Sequence, residues 1–289
     1  MPELPEVETV MRGLTPVMAG ARIERLEQRR SDLRFPFPDR LAERLEGRRV
    51  LALSRRAKYI LFHLEADEVL VAHLGMTGRF TINRSTISAF THAAGGDANH
   101  DHLVFHMSGG VVVTFNDARR FGYMDLLSEP ELATHKFFAA LGVEPLSDSF
   151  DARYLAAKAA GRKTTVKALL LDQHVIAGVG NIYASEALFR ARLKPSRVAA
   201  SLTNRSKRPN TRAEALVSAV REVLAEAIAA GGSSLRNYVQ ANGELGYFQK
   251  SHAVYDRAGQ PCQRDGCNGT IKRCVQAGRA TFFCPRCQR

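Results

Sequence analysis

Four cysteines near the end of the chain, Cys262, Cys267, Cys284 and Cys287, are spaced C-x4-C-x16-C-x2-C. Two close pairs of thiols separated by a hairpin-length insert suit a closed tetrahedral zinc site. The insert reads as two short strands, 270–276 and 280–283, joined at Ala277-Gly278-Arg279. A unit this small lacks a sufficient core, so the metal would supply folding free energy. Four protein ligands leave no open coordination position, so the spacing predicts one structural Zn2+ per chain rather than a catalytic ion. Cys274, the fifth cysteine, reads as a packed residue and not a ligand. All five lie after position 261, which argues for a local metal site in a reducing compartment and against a dispersed disulfide framework.

The other end offers a second chemistry. The chain opens Met1-Pro2-Glu3-Leu4-Pro5-Glu6. A small residue at position 2 permits removal of Met1, which exposes a secondary amine. An α-amino group has a pKa of about 8, so part of it is unprotonated at neutral pH. Proline condenses with an aldehyde or a sugar C1′ to give an iminium that is cationic without further protonation, a ready electron sink for β-elimination. Glu3 stands beside it to move protons. The same residues also read as an ordinary helix start, with proline as stiffener and glutamate complementing the dipole.

Elements must hold these groups. Val7, Val10, Met11 and Leu14 form one apolar stripe, predicting a helix over 5–14. From about 22 to 128 the pattern alternates, as in Ile60, Phe62, Leu64 and in Val111, Val113, Phe115, which predicts a mainly antiparallel β-sandwich. Residues 85–99 read as a loop without an assignable role. After a connection at 146–150 the chain turns helical. The clearest helix is 215–230, with Thr211 and Glu214 at capping-box spacing and Gly231-Gly232 as its stop. Residues 201–212 read as a solvated linker.

The chain has 289 residues, 41 basic and 29 acidic, a formal net charge of +12. That surplus favours a polyanionic partner. No apolar run is long enough to span a bilayer, and the start is not a basic region followed by an apolar one, so neither a membrane span nor a secretory signal is expected. The expected location is cytoplasmic.

The opening Met1-Pro2-Glu3-Leu4-Pro5-Glu6-Val7-Glu8-Thr9, taken with the cysteine hairpin, resembles the bacterial formamidopyrimidine-DNA glycosylases. Further matches follow in order: Arg55-Arg56-Ala57-Lys58-Tyr59, His73-Leu74-Gly75-Met76-Thr77-Gly78, Arg119-Arg120-Phe121-Gly122, Gly178-Val179-Gly180-Asn181-Ile182-Tyr183-Ala184-Ser185-Glu186, Gly246-Tyr247-Phe248 and Gly278-Arg279-Ala280-Thr281. The resemblance implies an α+β, two-domain fold: an N-terminal β-sandwich with flanking helices (1–134), a linker (135–150), a helix–two-turn–helix domain (151–245) and a zinc-bound β-hairpin (246–289). It implies a monomer that binds damaged double-stranded DNA in the cleft between the domains, reaching the nucleoid only through that DNA.

Roles follow by matching motifs. Pro2 resembles the Schiff-base nucleophile and Glu3 the general acid and base at the sugar. Lys58 resembles the lysine of β-elimination and phosphate contact, and Arg279 the arginine that assists δ-elimination. Glu6 would help hold the network. Met76, Arg119 and Phe121 resemble the wedge that fills the space of an extruded base. Asn181, read from its place before a helix as an N-cap, would bind phosphate. His100 and Arg162 match further DNA contacts, Arg162 standing where lysine is common. The loop 231–235 matches the region of lesion recognition. Read alone, Met76 and Phe121 would be core residues and Lys58 a solvated surface lysine. The departures are the C-x4-C pair, where C-x2-C is usual, and Ala118, where proline is common.

The implied activity is release of oxidised purines, such as 8-oxoguanine and formamidopyrimidines, with β,δ-elimination of the strand. Two alternatives remain: an endonuclease VIII-like enzyme for oxidised pyrimidines, and a non-catalytic binder of damaged DNA.

Overall fold

The protein is described from a computed structural model, over residues 1–84, 97–233 and 248–289. The chain divides into two compact units. One holds Met1–Ala139 with the segment that starts at Ala230, the other Ala140–Ala229 with Phe248–Arg289.

The first unit opens with α1 (Leu4–Met18), followed by β1 (Ile23–Gln28), α2 (Leu41–Leu45), β2 (Val50–Arg56), β3 (Tyr59–Leu64), β4 (Glu68–His73), β5 (Arg79–Arg84), β6 (Asp101–Met107), β7 (Val111–Asn116) and β8 (Tyr123–Ser128). The strands form two four-stranded antiparallel sheets, ordered β1-β6-β7-β5 and β2-β3-β4-β8. The expected sandwich is present. Val7, Val10, Leu14 and Met18 of α1 are buried with Ile60, Phe62, Phe80 and Phe115 in one core, and the Phe80 and Phe115 rings lie 5.0 Å apart. The helix runs one turn beyond the expected 5–14 and includes Pro16. Met18, in its last turn, is buried in the same core.

The second unit contains α3 (Ala152–Ala159), α4 (Val166–Leu171), α5 (Asn181–Arg190), α6 (Thr211–Ala229) and a hairpin of β9 (Lys272–Gln276) and β10 (Arg279–Phe283). Two ends differ from expectation. The N-cap of α5 is Gly180, so Asn181 is the first helical residue and not the cap. Asn210, not Thr211, caps α6: its Oδ1 accepts from the N–H of Arg212 and of Ala213 at 3.1 and 3.3 Å. The linker 201–212 is partly ordered, with a bridge between Thr203 and Pro209. Gly231 and Gly232 do end α6, both with left-handed φ. Residues 85–96 of the expected loop, and Ser234, Leu235, Gly246 and Tyr247 of the quoted motifs, lie outside the described residues.

Candidate active site and nucleic-acid interface

In the first unit, Pro2 and Glu3 are buried where the chain enters α1, while Met1 is exposed. Glu3 is the N-cap and Glu6 closes a reciprocal capping box. The Glu6 carboxylate accepts the Glu3 N–H at 2.9 Å through Oε2 and the Ser233 N–H at 2.8 Å through Oε1. It therefore joins the N-terminal segment and Ser233, within the expected recognition loop 231–235, on one buried group. Pro2 is joined to Met1 by an amide here, so its nitrogen becomes a nucleophile only after Met1 is removed.

Lys58 is 7% exposed, not the solvated lysine that its surroundings suggest. It sits in the two-residue turn between β2 and β3, beside Ala57 at φ +53°. Arg55 supports that turn. Its Nη1 donates to the Ala57 carbonyl at 3.0 Å, and its Nε pairs with Glu8 of α1 at 2.8 Å. The helix headed by Pro2 and the turn carrying Lys58 are thus tied together.

His73 received no role from the sequence. Burial, reinforced by the positive charges of Lys58 and Arg34, lowers its pKa to about 4, so the ring is neutral at pH 7. Its Nδ1 accepts the Gly75 N–H at 3.0 Å, which leaves the ring proton on Nε2. Gly75 opens the turn of Met76. Met76 and Phe121 are 38% and 43% exposed, so the core reading of these residues does not hold. The Arg119 guanidinium lies 4.7 Å from the Phe121 ring centroid. His100 ends a short 3-10 turn with its ring 3.9 Å from Asp97.

In the second unit, Asn181 Nδ2 donates to the Ala280 carbonyl at 2.9 Å, while its Oδ1 is buried without a hydrogen-bond partner among the described residues. Arg279 is the exposed first residue of β10, flanking a tight turn in which Ala277 and Gly278 have φ +49° and +72°. Lys167, 1% exposed, was not singled out by the sequence. Its Nζ donates to Thr281 Oγ1 at 2.6 Å and to the Ala280 carbonyl at 3.1 Å. A buried ammonium and the first residue of α5 therefore anchor the strand that begins at Arg279. Arg162 stands apart, paired with Asp172 at 3.2 Å. Glu186, also unassigned, accepts the backbone N–H groups of Ala253, Val254 and Tyr255 at 2.7 to 3.0 Å.

The ligand atoms of Cys262, Cys267, Cys284 and Cys287 all lie within 4.8 Å of one another. Cys262 and Cys287 Sγ are 3.8 Å apart, and Cys267 and Cys284 Sγ 3.7 Å. A tetrahedron with Zn–S bonds of about 2.3 Å has edges of about 3.8 Å, so the four thiols fit zinc. Cys274 lies on β9 opposite Thr281, outside the cluster.

Comparison with known proteins accords with this geometry. Residues 1–124 match the formamidopyrimidine-DNA glycosylase N-terminal domain, 141–239 the H2TH domain of the same enzymes, and 259–289 a zinc finger found in FPG and IleRS. The chain is 58% identical over 293 residues to the formamidopyrimidine-DNA glycosylase of Rhodopseudomonas palustris and 54% identical over 296 residues to that of Sinorhizobium fredii, covering all of each. Among solved structures it resembles the MutM (Fpg) protein of Thermus thermophilus, with a TM-score of 0.82, 42% identity and coverage of 99% of this chain and 98% of that one. It also resembles a Lactococcus lactis Fpg mutant in complex with DNA containing Fapy-dG, with a TM-score of 0.86, 31% identity and full coverage of both chains. With all three parts matched in order and full-length relatives above half identity, the chain belongs to the formamidopyrimidine-DNA glycosylase family.

Proposed function

We propose that this glycosylase releases oxidised purines from double-stranded DNA with the freed nitrogen of Pro2 as nucleophile. Removal of Met1 exposes the imino group. Its lone pair attacks the deoxyribose C1′, the bond from C1′ to the damaged base breaks, and the base leaves with the bonding pair. Glu3 handles the proton at the sugar during ring opening. The resulting iminium draws electrons from C2′, so loss of a C2′ proton expels the 3′ phosphate, and a second elimination expels the 5′ phosphate. Lys58 binds a phosphate and assists the first elimination, and Arg279 assists the second. Asn181 and the N–H groups that open α5 hold phosphate. His100 and Arg162 add backbone contacts. Met76, Arg119 and Phe121 occupy the space of the base that leaves the stack. One Zn2+ per chain, held by the four cysteines, supplies folding free energy to the hairpin and no catalytic step.

The observation that carries this reading is the head of α1: a buried Pro2 beside a buried Glu3, whose backbone N–H is held by the Glu6 carboxylate. Borohydride trapping on duplexes containing an abasic site, 8-oxoguanine or thymine glycol tests it. The expected result is a covalent adduct that maps to Pro2 in protein lacking Met1, formed faster on 8-oxoguanine than on thymine glycol. Faster trapping on thymine glycol assigns the chain to oxidised pyrimidines. Tight binding with no adduct on any substrate makes it a binder and removes the mechanism.

A further inference from the structure

Asp117 lies on the turn between β7 and β8, is fully buried, and has no part in the steps at the sugar. Its bonds run to both turns that present the exposed wedge side chains. Oδ1 accepts the hydroxyl of Thr77, the residue after Met76. Oδ2 accepts the N–H of Gly122, the residue after Phe121, at 2.7 Å. Thr77 Oγ1 in turn accepts the Arg119 N–H at 3.1 Å. One carboxylate and one hydroxyl thus connect the backbone beside Met76 to that beside Arg119 and Phe121.

The two turns are also in backbone contact. A Cβ on Gly75 would lie 2.3 Å from Gly122 N, and one on Gly122 would lie 2.9 Å from the His73 carbonyl and 3.0 Å from Asp117 Oδ2. Only glycine at both positions lets the turns approach this closely. Asp117 is itself fixed: its N–H donates to the His100 carbonyl at 3.0 Å, and its carbonyl accepts from Arg120 N at 3.2 Å and from His102 Nε2 at 2.8 Å. Residues 117–120 therefore form a β-turn with Ala118 at its second position, where proline would fix φ covalently and alanine does not. In this chain the rigidity of that turn rests on the hydrogen bonds.

We propose that the Asp117–Thr77 pair is a positioning device that locks the Met76 turn to the Arg119–Phe121 turn, so that the three side chains enter the duplex as one rigid wedge. A rigid wedge does not have to be ordered while it displaces a stacked base, and that saving exists only when a base must be displaced. The inference rests on the wedge role given to Met76 and Phe121, and it predicts a specific dependence on substrate. Excision of a base stacked in duplex DNA should need the lock. Cleavage of a single-stranded abasic site, where nothing must be extruded, should not.

The test compares Thr77→Val, Thr77→Ser and Asp117→Asn with Met76→Ala and Phe121→Ala, on 8-oxoguanine opposite cytosine and on a single-stranded abasic oligonucleotide. Thr77→Val keeps the shape and removes the hydroxyl. It is expected to lower kcat/KM on the duplex by about tenfold, the size of a lost hydrogen bond to a charged acceptor, and to leave abasic cleavage within about twofold. Thr77→Ser keeps the hydroxyl and should match the parent on both substrates. Abasic cleavage serves as the folding control for each variant. Should Thr77→Val lose it, Asp117→Asn is read by the same ratio. Parent-like duplex excision by both Thr77→Val and Asp117→Asn, while Met76→Ala and Phe121→Ala are slow, overturns the lock and leaves the wedge intact. So does an equal loss on both substrates by both Thr77→Val and Asp117→Asn, which would mark a merely structural role. Normal duplex excision by Met76→Ala and Phe121→Ala removes the wedge reading itself.

Discussion

The Glu6 carboxylate shows how much one buried group can organise. It accepts two backbone N–H groups from distant parts of the chain, Glu3 and Ser233, and is 3% exposed. Gly232 is packed so closely that a Cβ there would come within 3.1 Å of Glu6 Oε1. A glutamine at position 6 keeps the shape but turns one acceptor into a donor that faces an N–H. Leaving a buried donor unpaired costs about 1–3 kcal/mol, so Glu6→Gln should lower the melting temperature by several degrees, at roughly 2–4 °C per kcal/mol for a chain of this size. Because Glu6 also places the Glu3 backbone, borohydride trapping at Pro2 should slow in the same variant while zinc content stays unchanged. A melting curve and a trapping rate both equal to the parent's would refute this account of Glu6.

At the scale of elements, the anchoring of the hairpin divides between what local pattern reveals and what it hides. The stripe of α1 and the thiol pairs were legible, because a 3.6-residue period and a ligand spacing are written in consecutive sequence. The caps were less so. Asn181 and Thr211 are both good capping types, yet Gly180 and Asn210 hold the cap positions, a one-residue shift that propensity does not resolve. Lys167 and Asp117 were invisible for another reason. Each is a charged residue whose burial depends on partners 113 and 114 residues away for Lys167 and 40 away for Asp117. No window of sequence contains both sides of such a contact. Met76 and Phe121 were ambiguous for the converse reason, since exposed apolar side chains look like core until their turns are placed. The hairpin yields a prediction. Cys267→Ala removes one thiolate, so zinc measured by elemental analysis should fall from about one per chain to near zero. Loosening β10 would also strip Lys167 of its Thr281 and Ala280 acceptors, and the buried ammonium would add to the destabilisation. Excision should be lost while a calorimetric transition for the sandwich persists. Retained zinc and retained excision in this variant would show that the fourth thiolate is dispensable.

At the scale of the whole molecule, each unit contains a histidine held neutral by its surroundings, and acid should weaken both units for that reason. Burial and the Lys58 and Arg34 charges lower His73 to about 4, and burial with the Arg257 charge, against the opposing pull of Asp256, lowers His252 to about 4. For a histidine whose folded pKa lies below the unfolded value of about 6.5, the unfolded chain binds the proton first. Stability is therefore unaffected by these groups above about pH 6.5, falls as pH drops from there toward 4, and loses nothing further from them below that. His252 is 5% exposed, packed edge-on against Phe248 and Tyr255 with ring centroids 5.6 Å away in both pairs. A downward shift of this size corresponds to a loss on the order of 3 kcal/mol at the acid end. Phenylalanine at 252 would keep the aromatic contacts and cannot bind a proton. Calorimetry of the parent and of His252→Phe from pH 7 to pH 4.5 should therefore show the second unit's transition falling less steeply in the variant, with the first unit's transition falling alike in both. Parallel slopes for the second unit would mean that His252 carries its proton in the folded protein, and the acid sensitivity would then have to come from the carboxylates.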